Sequence, residues 1–519
     1  MDSALPNAMI ETATPIGAWV IVLPIVLGLM GAALLLILRR NAILSLAVSL
    51  IVVAAIIACE IALLLAVLEN GPVSMTMGNW LPPFGISLTA DIFGASFALA
   101  ASIVTFFILL YAEIERTEAD TGDMFHAIVL LLLAGVTGTF LTGDLFNLYV
   151  WFEVTLIASF GLIVQGGRPA QLDGAVKYGF LNFLATTLFL LSLGLLYGLL
   201  GTLNMADIMR VAPLANPAAM AGVAALLLLA FGMKAAAFPL NAWLPASYHT
   251  PPAAISAVFA GLLTKVGVYA LLRSLVAILP GSRDLLEPVL IIVALATLLI
   301  APLGAIAETN LRRAIGFIVI SGIGTTFVGL AIPSETGIAG SGLYILHAML
   351  SMSALYMVAG LIEKRTGATD TRQMGGLYAA STPLSILFIT LVLASAGVPP
   401  FLGFWPKLLL LEAGTTHALT GISGWAGTGL VLALLINAVL ILIAGTRLWA
   451  HVFWRTAPEE QAPRPLNRRA LAVTAALTSA ILLAGLWPAP MIDIMQQGAK
   501  DLTNPIRYVA ATGLAEDGQ

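Results

Sequence analysis

Charge is scarce in this chain of 519 residues, and cysteine is nearly absent. Charged residues make up 10% of it, and the sole cysteine, Cys59, lies inside an apolar run. Neither disulfides nor a cysteine metal cluster can therefore hold the fold. The formal charge of -4 says little about nucleic acid, but no basic, aromatic-rich segment suggests such a partner, and none is expected. The stretch up to Pro15 carries Asp2 and Glu11 and has no basic leader, so a cleaved signal peptide is not expected. A nucleotide-binding loop and a metal-ligand motif are both missing. No bond-making chemistry, cofactor or bound metal is expected.

What is present is apolar. Hydrophobic residues make up 60% of the chain and its mean hydropathy is +1.01, with runs near 20 residues following one another along nearly the whole length. This pattern predicts an all-α polytopic membrane protein. About fourteen spans are read, at 18–38, 43–68, 85–110, 126–143, 144–164, 177–200, 217–236, 252–277, 287–307, 312–332, 339–361, 382–398 continuing to about 412, 425–450 and 470–490. Loops after odd-numbered spans hold Arg39, Arg40, Arg116, Arg168, Arg312, Arg313, Lys364, Arg365, Arg372, Arg455, Arg464, Arg468 and Arg469. Those after even-numbered spans hold only Arg210 and Arg283. The excess of basic residues in cytoplasmic loops puts the odd loops inside and both termini outside.

Against this background, four of the six lysines lie in or at the edge of apolar runs: Lys177, Lys234, Lys265 and Lys407. A lysine near mid-bilayer costs roughly 3 kcal/mol and needs a partner, a water path or a task. Glu153 sits in another such run. It is nine residues beyond Asp144, about 13.5 Å along a helix axis. Asp144 can cap the start of that helix; Glu153 is too deep to do so. It is read as a titrating or salt-bridged carboxylate, against a neutral glutamate in a helix contact.

Two proline-bearing breaks follow. Pro239 interrupts the span holding Lys234, and Pro399, Pro400 and Pro406 interrupt the one holding Lys407. Breaks at corresponding places in two halves point to repeated five-helix units around buried polar sites. The units are read as 126–280 and 281–455, after N-terminal helices in 1–125 and before a loop, last helix and tail in 456–519. Lys265 has apolar sequence on both sides; the competing reading is a static charge pair. Lys177 is near a span end and can snorkel. His347 and Ser351, one turn apart, offer a step between the halves. His249 before the eighth span is an auxiliary candidate, equally readable as a hydrogen-bonded helix-start residue. Arg447 and His451 are an end-of-path pair or an interfacial anchor. Glu60 and Asp91 are further acids in or entering apolar runs.

Four segments together resemble the antiporter-like family of membrane subunits: Asp144 to Glu153, Gly232 to Pro245, His249 to Tyr269, and Gly397 to Lys407. That family includes the large subunits of multisubunit, Mrp-type sodium/proton antiporters and the proton-pumping subunits of respiratory complex I; within it the chain resembles the antiporters' D-type subunits. The resemblance implies fourteen helices, two inverted five-helix units, and discontinuous helices 7 and 12. It implies a relay of Glu153, Lys234, Lys265 and Lys407, and partner subunits in a bacterial or archaeal cell membrane. It also implies protons exchanged for monovalent cations, sodium above all, in pH homeostasis. Some relatives carry a lysine near Met352; here His347 and water are left to bridge that region. Two competing expectations are a proton-pumping subunit of a respiratory or hydrogenase complex, and a non-conducting scaffold.

Overall fold

In the computed structural model the described residues are 15–80, 82, 84–115, 124–420, 424–456 and 464–514. They are mostly helical, because in hydrocarbon each backbone N–H and C=O must be satisfied within its own segment. The helices are α1 (Leu23–Leu38), α2 (Ala42–Asn70), α3 (Ile92–Glu115), α4 (Phe125–Leu141), α5 (Leu145–Val164) and α6 (Pro169–Leu200). After the short helix Met205–Val211 come α7a (Pro217–Ala235), α7b (Trp243–Ser247), α8 (Ala253–Ile278), α9 (Pro280–Ala307), α10 (Leu311–Ala331) and α11 (Glu335–Thr366). The series ends with α12a (Thr382–Ala396), α12b (Phe404–Thr420), α13 (Gly424–Trp454), α14 (Arg468–Leu486), α15 (Ala489–Thr503) and α16 (Ile506–Ala511).

Side-chain oxygens define many of the helix starts. Asn41, Asp144, Asn216, Asn310, Ser334 and Asn467 each accept from a backbone N–H in the first turn that has no partner within the helix. The chain is extended at Thr142 and Asp144, which separates α4 from α5 within one long apolar stretch.

The structure departs from the expected spans before α3. Residues 85–110 read as one run, but Ser87–Ala90 is a strand, β2, paired antiparallel with β1 (Val73–Thr76) in the register Val73 to Ala90. This hairpin is the one departure from the all-α expectation among the described strands. Gly143 explains its position: the Gly143 N–H bonds the Ser87 carbonyl at 2.9 Å, and a Cβ there would lie 2.6 Å from the Thr89 hydroxyl.

The two ends of the bundle collect alternate loops. At one end Asn310 bridges to Asp370, Lys364 pairs with Glu115 at 3.0 Å, and Asn467 donates to the Ile114 carbonyl at 3.0 Å. At the other, Asp144 bridges to Asn204, and Arg273 pairs with Asp91 at 2.5 Å. Odd and even loops are thus segregated. Burial sorts the helices as well. The most apolar window of α8 is wholly buried, and 94% of it is in α10 and α11, against 28% in α2 and 33% in α6. Helices α8, α10 and α11 form the axis, and α2 and α6 turn much of their apolar surface outward.

Candidate functional site

Both breaks occur where prolines remove donors. Helix α7a ends at Ala236, which adopts a left-handed conformation with φ 61°. Its last carbonyls are not stranded: Met233 accepts from Ala236 N–H and from the Trp243 indole at 3.0 Å, and Gly232 accepts from Ala237 N–H. The Thr297 hydroxyl of α9 takes the Phe238 N–H at 3.1 Å. Lys234, one turn earlier, is 7% exposed. Its ammonium rests over the Phe152 ring, 4.7 Å from the centroid, a cation–π contact strengthened by desolvation.

Glu153 is the next residue on α5, and its charge reaches Lys234. No N···O contact within 4.0 Å joins them, however, and Glu153 Oε1 is buried without a hydrogen-bond partner. Phe152 packs against Phe231 and Phe189 at ring distances of 5.7 and 5.8 Å, so an aromatic cluster, not the carboxylate, supports the ammonium.

Lys265 is on α8, whose backbone widens to a π-turn over Phe259–Leu263. Its Nζ donates to the Ala260 carbonyl at 2.5 Å and to Thr264 Oγ1 at 3.2 Å. Close approach of α7a and α8 depends on Gly267, where a Cβ would lie 2.8 Å from the Ala235 nitrogen. A cavity of about 10 Å³ adjoins Lys265, with Thr326, Tyr344 and Met352 among its lining. It is large enough for about one water molecule. Met352 thus stands at the same cavity as Lys265.

His347 is fully buried on α11. The Ser351 hydroxyl donates to the His347 carbonyl at 2.8 Å and lies 3.3 Å from Nε2. That arrangement assigns the ring proton to Nε2 and leaves Nδ1 without a partner. The whole imidazole is enclosed by protein. Gly403 admits it to the second break, since a Cβ there would lie 2.8 Å from Nε2.

Lys407, on α12b, is 5% exposed and reaches back across the break. Its Nζ donates to the carbonyls of Ala396 at 2.9 Å and Ser395 at 3.4 Å, the last of α12a. Gly397 makes room: its φ is +87°, and a Cβ would lie 2.7 Å from Lys407 Cδ. Among the described residues, neither Lys265 nor Lys407 has a carboxylate within 4.0 Å. Both ammonium groups lean on backbone dipoles.

The auxiliary candidates lie apart from this series. Asp144 caps α5 through Asn147 N–H at 2.8 Å. Lys177 is exposed and pairs with Asp173 at 2.5 Å. The His249 ring donates from Nδ1 to the Pro245 carbonyl at 2.8 Å. Burial, with help from Arg313 and Arg312, lowers its pKa to about 4 against the Pro245 bond. Arg447 donates to the Ile306 carbonyl at the end of α9, and His451 Nδ1 has no partner.

One buried network escaped the sequence reading. Arg273 is 2% exposed, pairs with Asp91, bonds the Tyr269 hydroxyl at 3.1 Å and lies 4.9 Å from the Tyr508 ring centre. A usable signal existed: Lys265, Tyr269 and Arg273 recur every four residues on one face of α8. For a metal, no group of three or more His, Cys, Asp or Glu gathers among the described residues.

Comparison with known proteins places this geometry among relatives. Residues 142–433 match the family described as "NADH:quinone oxidoreductase/Mrp antiporter, TM". The D-type subunit of the Na(+)/H(+) antiporter of Bacillus subtilis (strain 168) is 36% identical over 498 residues, 95% of this chain and 98% of that one. A chain of the Mrp complex from Dietzia sp. DQ12-45-1b superposes with a TM-score of 0.88 at 27% identity, covering 97% of this chain and 100% of that one. A chain of the membrane-bound sulfane sulfur reductase, an archaeal respiratory membrane complex, gives 0.84 at 27% identity, over 96% and 99%.

Proposed function

The chain belongs to the NADH:quinone oxidoreductase/Mrp antiporter membrane family, and on that premise we propose that it is the proton-translocating subunit of a multisubunit monovalent cation/proton antiporter. It is part of a transporter and not an enzyme. Relatives named as sodium/proton antiporter subunits, matched over nearly their full length, support sodium as the coupling ion and other subunits as partners. Eleven helices long and apolar enough to span, with the three shorter apolar helices α1, α4 and α12a, support fourteen spans. The matching breaks in α7a/α7b and α12a/α12b support two inverted five-helix units, 126–280 and 281–455. Segregation of the basic odd loops to one end supports a cytoplasmic face there and both termini outside, and the bacterial and archaeal relatives support a bacterial or archaeal cell membrane.

The observation that carries the mechanism is the buried His347 ring packed on Gly403 at the break that the buried Lys407 bridges, with Lys265 buried in α8. In this reading Glu153 and Lys234 form the input pair. When the carboxylate moves away, Lys234 gives up its proton more readily; when it approaches, the ammonium is held. The proton passes to Lys265, through the His347 region in place of the lysine near Met352, and to Lys407. Backbone carbonyls hold the Lys265 and Lys407 ammonium groups without neutralising them, so these lysines can release a proton without breaking an ion pair. Lys177 and the loop-end groups Asp144, His249, Arg447 and His451 act in helix capping and anchoring.

The test is a cation-triggered pH change in membrane vesicles carrying the complete complex, with sodium, potassium and lithium compared. Proton movement on adding one of these cations fits the reading; none with any of them contradicts it. The likeness to the respiratory reductase chain favours one second reading, a proton pump powered by electron transfer. Co-purification with redox proteins would select it. A scaffold would tolerate loss of Glu153 and Lys234 together.

A further inference from the structure

Glu60 is fully buried and lies outside the series from Glu153 to Lys407. It interrupts the face that α2 turns inward, where Val53, Ile56, Leu63 and Val67 are buried at helical spacing. Three helices meet at its carboxylate. Thr137 of α4 lies 3.4 Å from Oε1, and Ser102 of α3 is close enough to interact with the charge. Yet Glu60 Oε2 and Ser102 Oγ are both sealed from solvent with no hydrogen-bond partner.

No basic group compensates this carboxylate. Among the described residues, no lysine, arginine or histidine lies within 4.0 Å. Its sequence neighbour Cys59 is a thiol and brings no positive charge to offset it. On α3 and α4, Glu113 and His126 pair with each other at 3.3 Å. They sit beside Ser49, eleven residues or about 16 Å away along α2.

A carboxylate in such surroundings must be neutralised. A proton on one carboxylate oxygen can do this, and so can a cation held by the carboxylate together with the two hydroxyls. Carboxylate and hydroxyl oxygens from three helices are the hard donors that a small, dehydrated cation takes. We propose that Glu60, Ser102 and Thr137 form an exchange site at which a small monovalent cation of the sodium class and a proton compete for one carboxylate. Binding the cation releases the proton from Glu60, so charge balances within the site. The inference deepens the antiport reading and rests on it only for the ion's identity; the site itself stands on the three-helix geometry.

The experiment uses the purified complete complex. Bound sodium is measured by equilibrium dialysis, and the carboxylic-acid C=O band by infrared difference spectroscopy as sodium is added. In the wild type the acid band should fall as sodium binds. Glu60→Gln should lose both the sodium-sensitive band and the corresponding bound sodium. Ser102→Ala and Thr137→Val leave the charge in place and should raise the sodium needed by about tenfold or more. If Glu60→Gln does not assemble, these two variants decide. An acid band indifferent to sodium, or unchanged sodium affinity in both hydroxyl variants, overturns the site even if the complex exchanges cations for protons. Conversely, sodium-sensitive Glu60 in a complex with no cation-driven proton flux would leave the site standing and remove the antiport reading.

Discussion

The Lys407 ammonium hydrogen-bonds the Ala396 carbonyl at 2.9 Å, across the break that divides its own span. The lysine thereby satisfies carbonyls that α12a cannot satisfy internally. Lys407→Gln should lower cation-driven proton flux by about a hundredfold or more, the scale of a lost proton-transfer group. Melting of the detergent-solubilised complex should show a smaller penalty, about 1–3 kcal/mol for the weakened carbonyl contacts.

The same break makes a prediction about a residue with no side chain. Gly397→Ala places a methyl group 2.7 Å from Lys407 Cδ and forces alanine to φ +87°. The backbone cost is about 1–2 kcal/mol. Flux should fall by more than stability does, because the lysine itself is displaced. Equal losses would show that Gly397 matters only for folding.

The Asp91–Arg273 pair should behave as a buried ion pair that holds the start of α3 against α8. Asp91→Asn should cost about 3–5 kcal/mol by leaving Arg273 uncompensated. Arg273→Lys should substitute only in part: a single nitrogen, Nη2, makes both the Asp91 and Tyr269 bonds, but lysine lacks the planar guanidinium that lies 4.9 Å from the Tyr508 ring centre. Asp91→Asn with Arg273→Met should recover much of the loss. Thermal unfolding of the three variants in detergent checks this.

His249 gives a pH dependence. Its folded pKa is about 4, below the ordinary 6.5, chiefly through burial. The unfolded chain therefore binds the proton first as pH falls. Stability should be insensitive to this group above about pH 6.5 and should decline from there towards pH 4. Replacing it in His249→Gln should flatten that part of the stability profile. An unchanged acid limb would mean that His249 stays solvated.

Proline chemistry is local, which is why both breaks, and the lysines beside them, are legible in the sequence. The partners of those lysines are not. Lys407 reaches Ala396 past a left-handed Gly397, whose glycine-then-proline pattern signals the helix stop but not the lysine that returns to it; Lys265 reaches Ala260 through a π-turn, which has no sequence signature. The hairpin of β1 and β2 was hidden in an apolar run because alternation over four residues is weak beside a long hydrophobic stretch. Arg273 and Asp91 are 182 residues apart, so only the fold could join them. Phe152 under Lys234 was equally unreadable: the aromatic adjoins Glu153 in sequence, but helix geometry decides which of the two meets the ammonium.

The central claim is that buried lysines carry protons by reversible deprotonation. Lys265→Arg keeps the positive charge and removes that ability, because a guanidinium does not give up its proton. The decisive measurement is cation-triggered proton flux in vesicles containing the fully assembled Lys265→Arg complex. The account predicts flux at background level with the normal complement of subunits; flux at the wild-type rate would contradict it.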